Sequence, residues 1–300
     1  MPSFTLFKPT SQQGALYGAG IAGVAFLVAI IMLYKGLNTE PSLSQALPLI
    51  GAFLLGGLAA IYGYWTWSCS SLAYVVDRNA LTIRWGGLRQ IIPLENIERL
   101  IPAGGGAAPR IEGVSWPGHH VGRAEVQELG DVLFYTTHRT MDEVLYVETP
   151  AQVYAISVPD QVFFAQTVQS NQGRGSLFEQ TQTVRRWGIA AQTFWSDQNA
   201  LILAGVLVLA FFTVLVYVLQ GYPDLAQNVP LRFPALGGIV RVSDRSALLD
   251  IPRTAAGFMV TNLLLAVVLH SWERMVGYVL LLAGISIQVV LLVAAAVAVA

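Results

Sequence analysis

The sequence is poor in charged residues and has almost no cysteine. Only 12% of its 300 residues are charged and 54% are hydrophobic, a composition too apolar for an ordinary soluble domain. It contains no basic tract and its formal net charge is −1, so the neutralisation of phosphates that drives nucleic-acid binding has no source, and we expect no nucleic-acid partner. The single cysteine, Cys69, has no second cysteine to pair with and therefore does not indicate the redox compartment.

Hydrophobic residues are concentrated in five runs that contain no charged residue. A helix of about 20 apolar residues is long enough to cross the roughly 30 Å hydrocarbon core of a bilayer. The sequence therefore predicts about five transmembrane helices, two within residues 15–68, one at 201–219 and two within 254–299. Aromatic residues cluster at the end of the second run, as expected where a helix leaves hydrocarbon for lipid headgroups: Tyr62, Tyr64, Trp65 and Trp67.

A different pattern fills residues 71–171. Short runs of β-favouring residues, such as 72–76 and 81–85, flank the turn residues Asp77–Ala80, which is typical of a hairpin. After the last such run, Pro159 precedes a helical stripe of hydrophobic residues. The pattern predicts a soluble module of about six or seven strands closed by one helix.

Two stretches of this module resemble the bacterial pleckstrin-homology-like (PH-like) domains found on membrane proteins. Tyr74–Asp77 and Leu81–Gly86 are similar to the opening of that family, and Tyr154–Asp160 followed by Phe163 is similar to its last strand and capping helix. The resemblance implies a small, strongly bent antiparallel sheet with one C-terminal helix. The expected fold class is therefore a membrane α-helical protein with an inserted α+β PH-like module.

A weaker resemblance covers residues 222–238. Tyr222–Leu225 and Val229–Phe233 are similar to a segment in a domain of unknown function of bacterial multi-span proteins, where a His usually stands at the position of Arg232. That resemblance implies no activity. The remaining segments are expected to be an N-terminal tail at 1–14, a linker at 172–200 and an extramembrane loop at 220–251.

A Gly- and Pro-rich stretch from Pro102 to Arg123 interrupts the module and predicts a long loop. Long loops on a rigid scaffold often carry binding residues. If this loop contacts a partner, the candidate interaction residues are Trp116, His119, His120 and Arg123.

No catalytic or metal-binding group stands out in the sequence. One grouping could coordinate a metal, namely His119, His120, Asp131 and His138. Adjacent His residues rarely share one ion, and no zinc-binding spacing is present. There is no Gly-x-Ser-x-Gly elbow, and the apolar runs hold Asn262 and Gln288, which we expect to hydrogen-bond across helices. We therefore expect no cofactor, no metal and no enzymatic activity.

Arginine and glutamate are interleaved along the module. Five arginines could face anionic lipid headgroups: Arg84, Arg89, Arg99, Arg110 and Arg123. Acidic residues alternate with them: Glu95, Glu98, Glu112, Glu125 and Glu128. The mixture predicts a solvated surface of both signs rather than a lipid-binding patch.

The pattern as a whole favours a membrane-anchored interaction or scaffold protein whose module binds a protein partner, because tethering makes weak contacts effective. Five spans place Lys8, the module and the turn at 270–274 on one side of the bilayer, and our hypothesis is that this is the cytoplasmic side of a bacterial cell membrane. Two alternatives stay open. One is a membrane enzyme or transporter with a site between the helices and the module, and the other is a sensor that couples the loop at 221–250 to the module.

Overall fold

The computed structural model describes residues 4–105, 107–233 and 239–299. It divides into two compact units. Unit 1 comprises residues 1–26 and 57–191, and unit 2 comprises residues 27–56 and 192–300. Unit 1 contains nearly all of the β structure, whereas unit 2 is mainly helical.

The described residues form six α-helices, which are α1 (Gln12–Asn38), α2 (Leu43–Ser70), α3 (Gln161–Gly173), α4 (Gln198–Gly221), α5 (Asp250–Leu269) and α6 (Arg274–Val299). All except α3 are long and apolar enough to cross a membrane. The prediction of five helices is therefore confirmed in their number, length and apolar composition.

Eleven strands of unit 1 form two sheets. The strands are β1 (Thr5–Phe7), β2 (Ala73–Val76), β3 (Ala80–Trp85), β4 (Leu88–Pro93), β5 (Arg99–Pro102), β6 (Glu112–Trp116), β7 (His119–Val126), β8 (Gly130–Thr136), β9 (Val144–Glu148), β10 (Val153–Ser157) and β11 (Thr183–Arg186). One sheet has the order β1-β2-β3-β4-β11, and the other has the order β5-β9-β10-β8-β7-β6. In unit 2, β12 (Asn228–Phe233) and β13 (Ile239–Asp244) form an antiparallel pair.

The core of unit 1 lies between the two sheets and α3. Its largest fully buried side chains include Tyr74, Ile83 and Phe164. The Tyr74 hydroxyl donates to the carbonyl of Tyr135 at 2.7 Å and accepts from the Ser157 amide at 3.1 Å, so the buried phenol is satisfied. Asp160 caps α3 by accepting from the amide of Phe163. The predicted closing helix is therefore present and packs on the sheets through Phe164 and Val168.

The sheets differ from the expectation in two respects. The predicted loop from Pro102 to Arg123 contains β6 and most of β7, because Pro117-Gly118 is a hairpin turn and not a break in the sheet. The sheet is also not wholly antiparallel, since β10 pairs in parallel with β8 and antiparallel with β9.

Both ends of the module extend further than the sequence indicated. Thr5–Phe7, in the segment expected to be a tail, pairs with β2. Thr183–Arg186, in the segment expected to be a linker, pairs with β4.

Unit 2 is held together by apolar contacts between α4, α5 and α6. Leu207, Met259 and Leu281 are among the buried residues of this core. The side chain of Gln288 on α6 donates to the carbonyl of Ala255 on α5 at 2.8 Å, as the sequence predicted. The expectation for Asn262 was wrong, because its amide donates to Phe258 within the same helix.

Candidate functional site

The β6–β7 hairpin packs against the first turn of α1. Pro117 and Gly118 form its two-residue turn, and Gly118 has a φ of 78°, which a type II turn requires at its second central residue. The indole nitrogen of Trp116 donates to the carbonyl of Gly14 at 2.9 Å. A side chain at Gly14 would overlap the carbonyl of Gly118. The close approach of hairpin and helix therefore depends on glycine at position 14.

The ring of Trp116 also contacts the aromatic cluster at the end of α2. Its centroid lies 5.8 Å from that of Tyr62 and 6.2 Å from that of Trp65. A side chain at Gly18 of α1 would overlap Thr66 and come within 3.2 Å of the Trp116 ring. Trp116 thus fills a space bounded by both helices, and part of the aromatic cluster contacts protein.

A second hairpin, β3–β4, contacts the end of α2. The amide of Gly86 donates to the hydroxyl of Ser71 at 2.8 Å, and a side chain at Gly86 would overlap Ser68. Just after β11, the amide of Trp187 donates to the carbonyl of Gly87 at 2.8 Å. Two hairpins therefore hold the module on the first turn of α1 and the last turns of α2.

His119 is completely buried beside the first hairpin. Its ring stacks on Trp85, with centroids 6.2 Å apart, and lies 4.8 Å from Trp116. Neither ring nitrogen has a hydrogen-bond partner among the described residues. Burial lowers the pKa of His119 to about 4, so the ring is neutral at pH 7.

The other two histidines of the module have rings that contact each other at a tilt of 31°. The rings of His120 and His138 have centroids 4.3 Å apart. Nδ1 of His120 lies 2.8 Å from the Ser115 hydroxyl, and Nδ1 of His138 lies 2.8 Å from the Thr136 hydroxyl. Burial, and then the nearby His120, lower the pKa of His138 to about 4. Each of the two rings therefore lies within hydrogen-bond distance of a hydroxyl group on the same sheet.

The four candidate interaction residues do not form one exposed loop. Trp116 and His119 contact the protein's own helices and strands, and His120 is half-buried on β7. Arg123 is exposed and pairs with Asp131 at 3.1 Å. Within residues 4–105, 107–233 and 239–299, no group of three or more His, Cys, Asp or Glu residues has a metal-binding arrangement.

Three exposed arginines lie side by side on the five-stranded sheet. Arg84 of β3 is directly opposite Arg89 of β4, which is directly opposite Arg185 of β11. We call these three residues the arginine row. The neighbouring side chains Ile83 and Leu88 belong to the core, so the row projects from the outer face of the sheet.

Residues 72–172 match the family model described as Bacterial PH domain. This segment is a bacterial PH-like domain. The match includes β2 to β10 and nearly all of α3, and it leaves out β1 and β11. No curated protein and no solved structure matches the chain. The weaker resemblance at 222–238 stays a prediction, and its residues 234–238 lie outside the described part of the chain.

The arginine row joins two arginines of the PH-like domain to one that follows it. The sequence did not reveal the row because a four-residue edge strand of Thr, Val and two Arg has no apolar alternation that could identify it. The signal that was available is limited to the β-favouring residues Thr181, Thr183 and Val184 just before Arg185-Arg186. The pairing partner of such a strand follows only from the three-dimensional structure.

Unit 2 contains a separate cluster of ionisable groups around Asp197. One carboxylate oxygen accepts from the amides of Asn199 and Ala200, which caps α4. The other accepts from the Tyr278 hydroxyl at 2.5 Å and lies 3.2 Å from Nε2 of the buried His270. The hydrogen bond from Tyr278, followed by those from the two amides, holds the pKa of Asp197 below its usual range. The cluster fastens the start of α4 to the α5–α6 turn.

Proposed function

We propose that this chain is an integral membrane protein without catalytic activity that presents its PH-like domain to a protein partner at the membrane surface. Five helices long and apolar enough to cross a bilayer support the anchoring role. The match to a bacterial PH domain supports the interaction role.

The observation that carries the proposal is the double attachment of the domain to α1 and α2. The Trp116–Gly14 and Gly86–Ser71 hydrogen bonds lie on different hairpins. Two separate attachments restrict rotation of the domain on the helix pair, whereas a single flexible linker would not. A domain held in this way gains a high effective concentration for any partner in the same membrane.

The edge strand β6 is the surface we assign to the partner. Among the described residues, β6 pairs only with β7, and Glu112, Gly113 and Ser115 on it are exposed. An open edge presents unpaired backbone groups to which an extended segment of another protein can add as a strand. The opposite edge, β5, ends in Pro102, which cannot donate a ladder hydrogen bond.

Site-specific photo-crosslinking in native membranes tests this function. A photoreactive residue at Glu112 should give an adduct with one defined protein. The matched control is Glu125, which is exposed on β7, and there the same adduct should be absent or much weaker. Absence of an adduct at position 112, or identical adducts at both positions, would contradict the proposal.

We further propose that the domain lies on the cytoplasmic side of a bacterial cell membrane. Two spans precede the domain and four precede the α5–α6 turn, so the residues before α1, the domain and that turn lie on one side. In a Cys69→Ala background, Glu125→Cys should resist a membrane-impermeant thiol reagent in intact cells and react after permeabilisation. Labelling in intact cells would place the domain outside.

The Asp197 cluster is the feature closest to an enzyme or transporter site. Both carboxylate oxygens are already engaged by the protein's own groups. A carboxylate occupied in this way is suited to fastening helices rather than to proton transfer with a substrate. We therefore assign it a structural role.

A further inference from the structure

The arginine row is a concentration of unpaired positive charge. Arg84, Arg89 and Arg185 are all exposed, and no carboxylate of the described residues lies within 4 Å of their side chains. Elsewhere in unit 1, Arg99 and Arg123 pair with Glu148 and Asp131. Like charges directly opposite on adjacent strands destabilise a sheet. Three in succession therefore suggest that an anion compensates them.

The row lies close to the end of α2. Arg84 and Arg89 are each two residues from the Gly86-Gly87 turn, a distance of about 7 Å along a strand. That turn contacts Ser71, which directly follows α2. With α2 crossing the bilayer, as proposed above, the row lies near the level at which this helix leaves the hydrocarbon core.

Exposed aromatic and aliphatic side chains follow Arg185 closely along the chain. Trp187 is half exposed and packs edge-to-face on the half-exposed Trp67 of α2, with ring centroids 6.2 Å apart. Ile189 is 67% exposed. Tryptophan is enriched at the membrane interface because its ring is amphipathic. Arginine side chains can bind lipid phosphate groups, and the neighbouring indole rings can contact the start of the acyl chains.

We propose that the arginine row binds the phosphate groups of anionic phospholipids in the bilayer that α1 and α2 enter. Guanidinium groups form bidentate hydrogen bonds with phosphate oxygens. A lipid is favoured over an acidic protein segment because the row lies at headgroup height beside the aromatic end of α2, where lipid phosphates are concentrated. This inference rests on the proposed membrane anchoring and adds a ligand class and its site.

The test compares lipids retained by the full-length protein. Protein is purified from bilayers of phosphatidylcholine and phosphatidylglycerol, and bound lipids are counted by native mass spectrometry. The row variant carries Arg84→Gln, Arg89→Gln and Arg185→Gln. The control variant carries Arg110→Gln, Arg123→Gln and Arg139→Gln, three exposed arginines of the same unit.

We expect the wild type and the control variant to retain phosphatidylglycerol in preference to phosphatidylcholine. In the row variant this preference should fall by about tenfold or more, because each arginine near an anionic surface contributes to binding. Equal preference in the wild type and the row variant would overturn the inference, as would an equal loss in the control variant. If an acidic protein segment occupies the row instead of a lipid, the wild type and the row variant should show equal lipid preference.

The Glu112 crosslink separates this inference from the proposed function. In the row variant the adduct should persist while lipid selectivity is lost. If the adduct forms in the wild type but lipid selectivity is absent, the lipid inference fails and the proposed function stands. If the wild type shows lipid selectivity but no adduct forms at position 112, the proposed function fails and the lipid inference stands. Thermal unfolding of the row variant checks that the sheet is intact.

Discussion

Trp116 is the residue through which the β6–β7 hairpin makes its main attachment to the helices. It combines a hydrogen bond to Gly14 with ring contacts to Tyr62 and Trp65. The sequence predicts it, with His119, His120 and Arg123, to be a loop residue available to a partner. In the structure, its contacts are with the protein itself, so we expect it to contribute to stability.

Replacement of Trp116 by Ala tests this role. Truncation of a fully buried aromatic residue costs about 3–5 kcal/mol, and because Trp116 is only partly buried we expect a loss of about 2–3 kcal/mol. Thermal or denaturant unfolding of the full-length protein measures it. The matched control, Trp272→Ala, removes an indole that is 81% exposed and should change stability by less than about 0.5 kcal/mol.

His119 predicts a dependence of stability on pH. Its pKa is about 4 in the folded protein and about 6.5 in an unfolded chain. Between these values the unfolded state binds a proton that the folded state does not. Stability should therefore fall as pH decreases from about 6.5 to about 4. His138, whose pKa is also about 4, adds a second contribution in the same window.

Replacement of His119 by Phe should weaken this loss. The substitution keeps an aromatic ring beside Trp85 and Trp116 and removes two buried nitrogens without partners. Melting temperatures at pH 7.5 and pH 5 should differ less in the variant than in the wild type. An unchanged difference would contradict the assignment of acid sensitivity to His119.

At the scale of secondary-structure elements, two glycines of α1 test the contact between the β6–β7 hairpin and this helix. Gly14 and Gly20 lie on the same helix, but only a side chain at Gly14 would meet the hairpin, whereas Gly20 faces open space. We expect Gly14→Ala to destabilise the module. Gly20→Ala should be neutral or slightly stabilising, since Ala favours a helix over Gly by about 1 kcal/mol. Equal effects in unfolding measurements would argue against the contact.

Two substitutions of Asp197 should destabilise the start of α4 to different degrees. Asn can still cap a helix, but its neutral amide interacts more weakly with Tyr278 and His270. Asp197→Ala loses the cap as well. Hydrogen exchange in the first turn of α4 should therefore be fastest for Asp197→Ala, intermediate for Asp197→Asn and slowest for the wild type. Equal rates would show that the cluster does not fasten the helix.

Elements with strong periodicity could be predicted from the sequence. The five apolar helices and the closing helix α3 each carry a pattern long enough to stand out. The strands β6, β7 and β11 do not, because Gly113 and Gly122 dilute the first hairpin and β11 has only four residues. Short edge strands are specified mainly by their partners. The arginine row and the contacts of Trp116 therefore could not be derived from the sequence.

At the scale of the whole molecule, the decisive feature is a PH-like domain that is fixed to the helix pair α1 and α2. Tethering by one flexible segment would also give a high local concentration. Only a fixed domain keeps the arginine row at one height relative to α2. Rigid attachment is therefore the central claim.

Distance measurement by pulsed electron resonance in lipid nanodiscs tests this claim most directly. Spin labels are placed at Ser70→Cys, at the end of α2, and Glu125→Cys, on β7, in a Cys69→Ala background. A rigidly attached domain gives one narrow distance distribution, which broadens when Trp116→Ala is added. A broad distribution without that substitution would show that the domain is not rigidly attached.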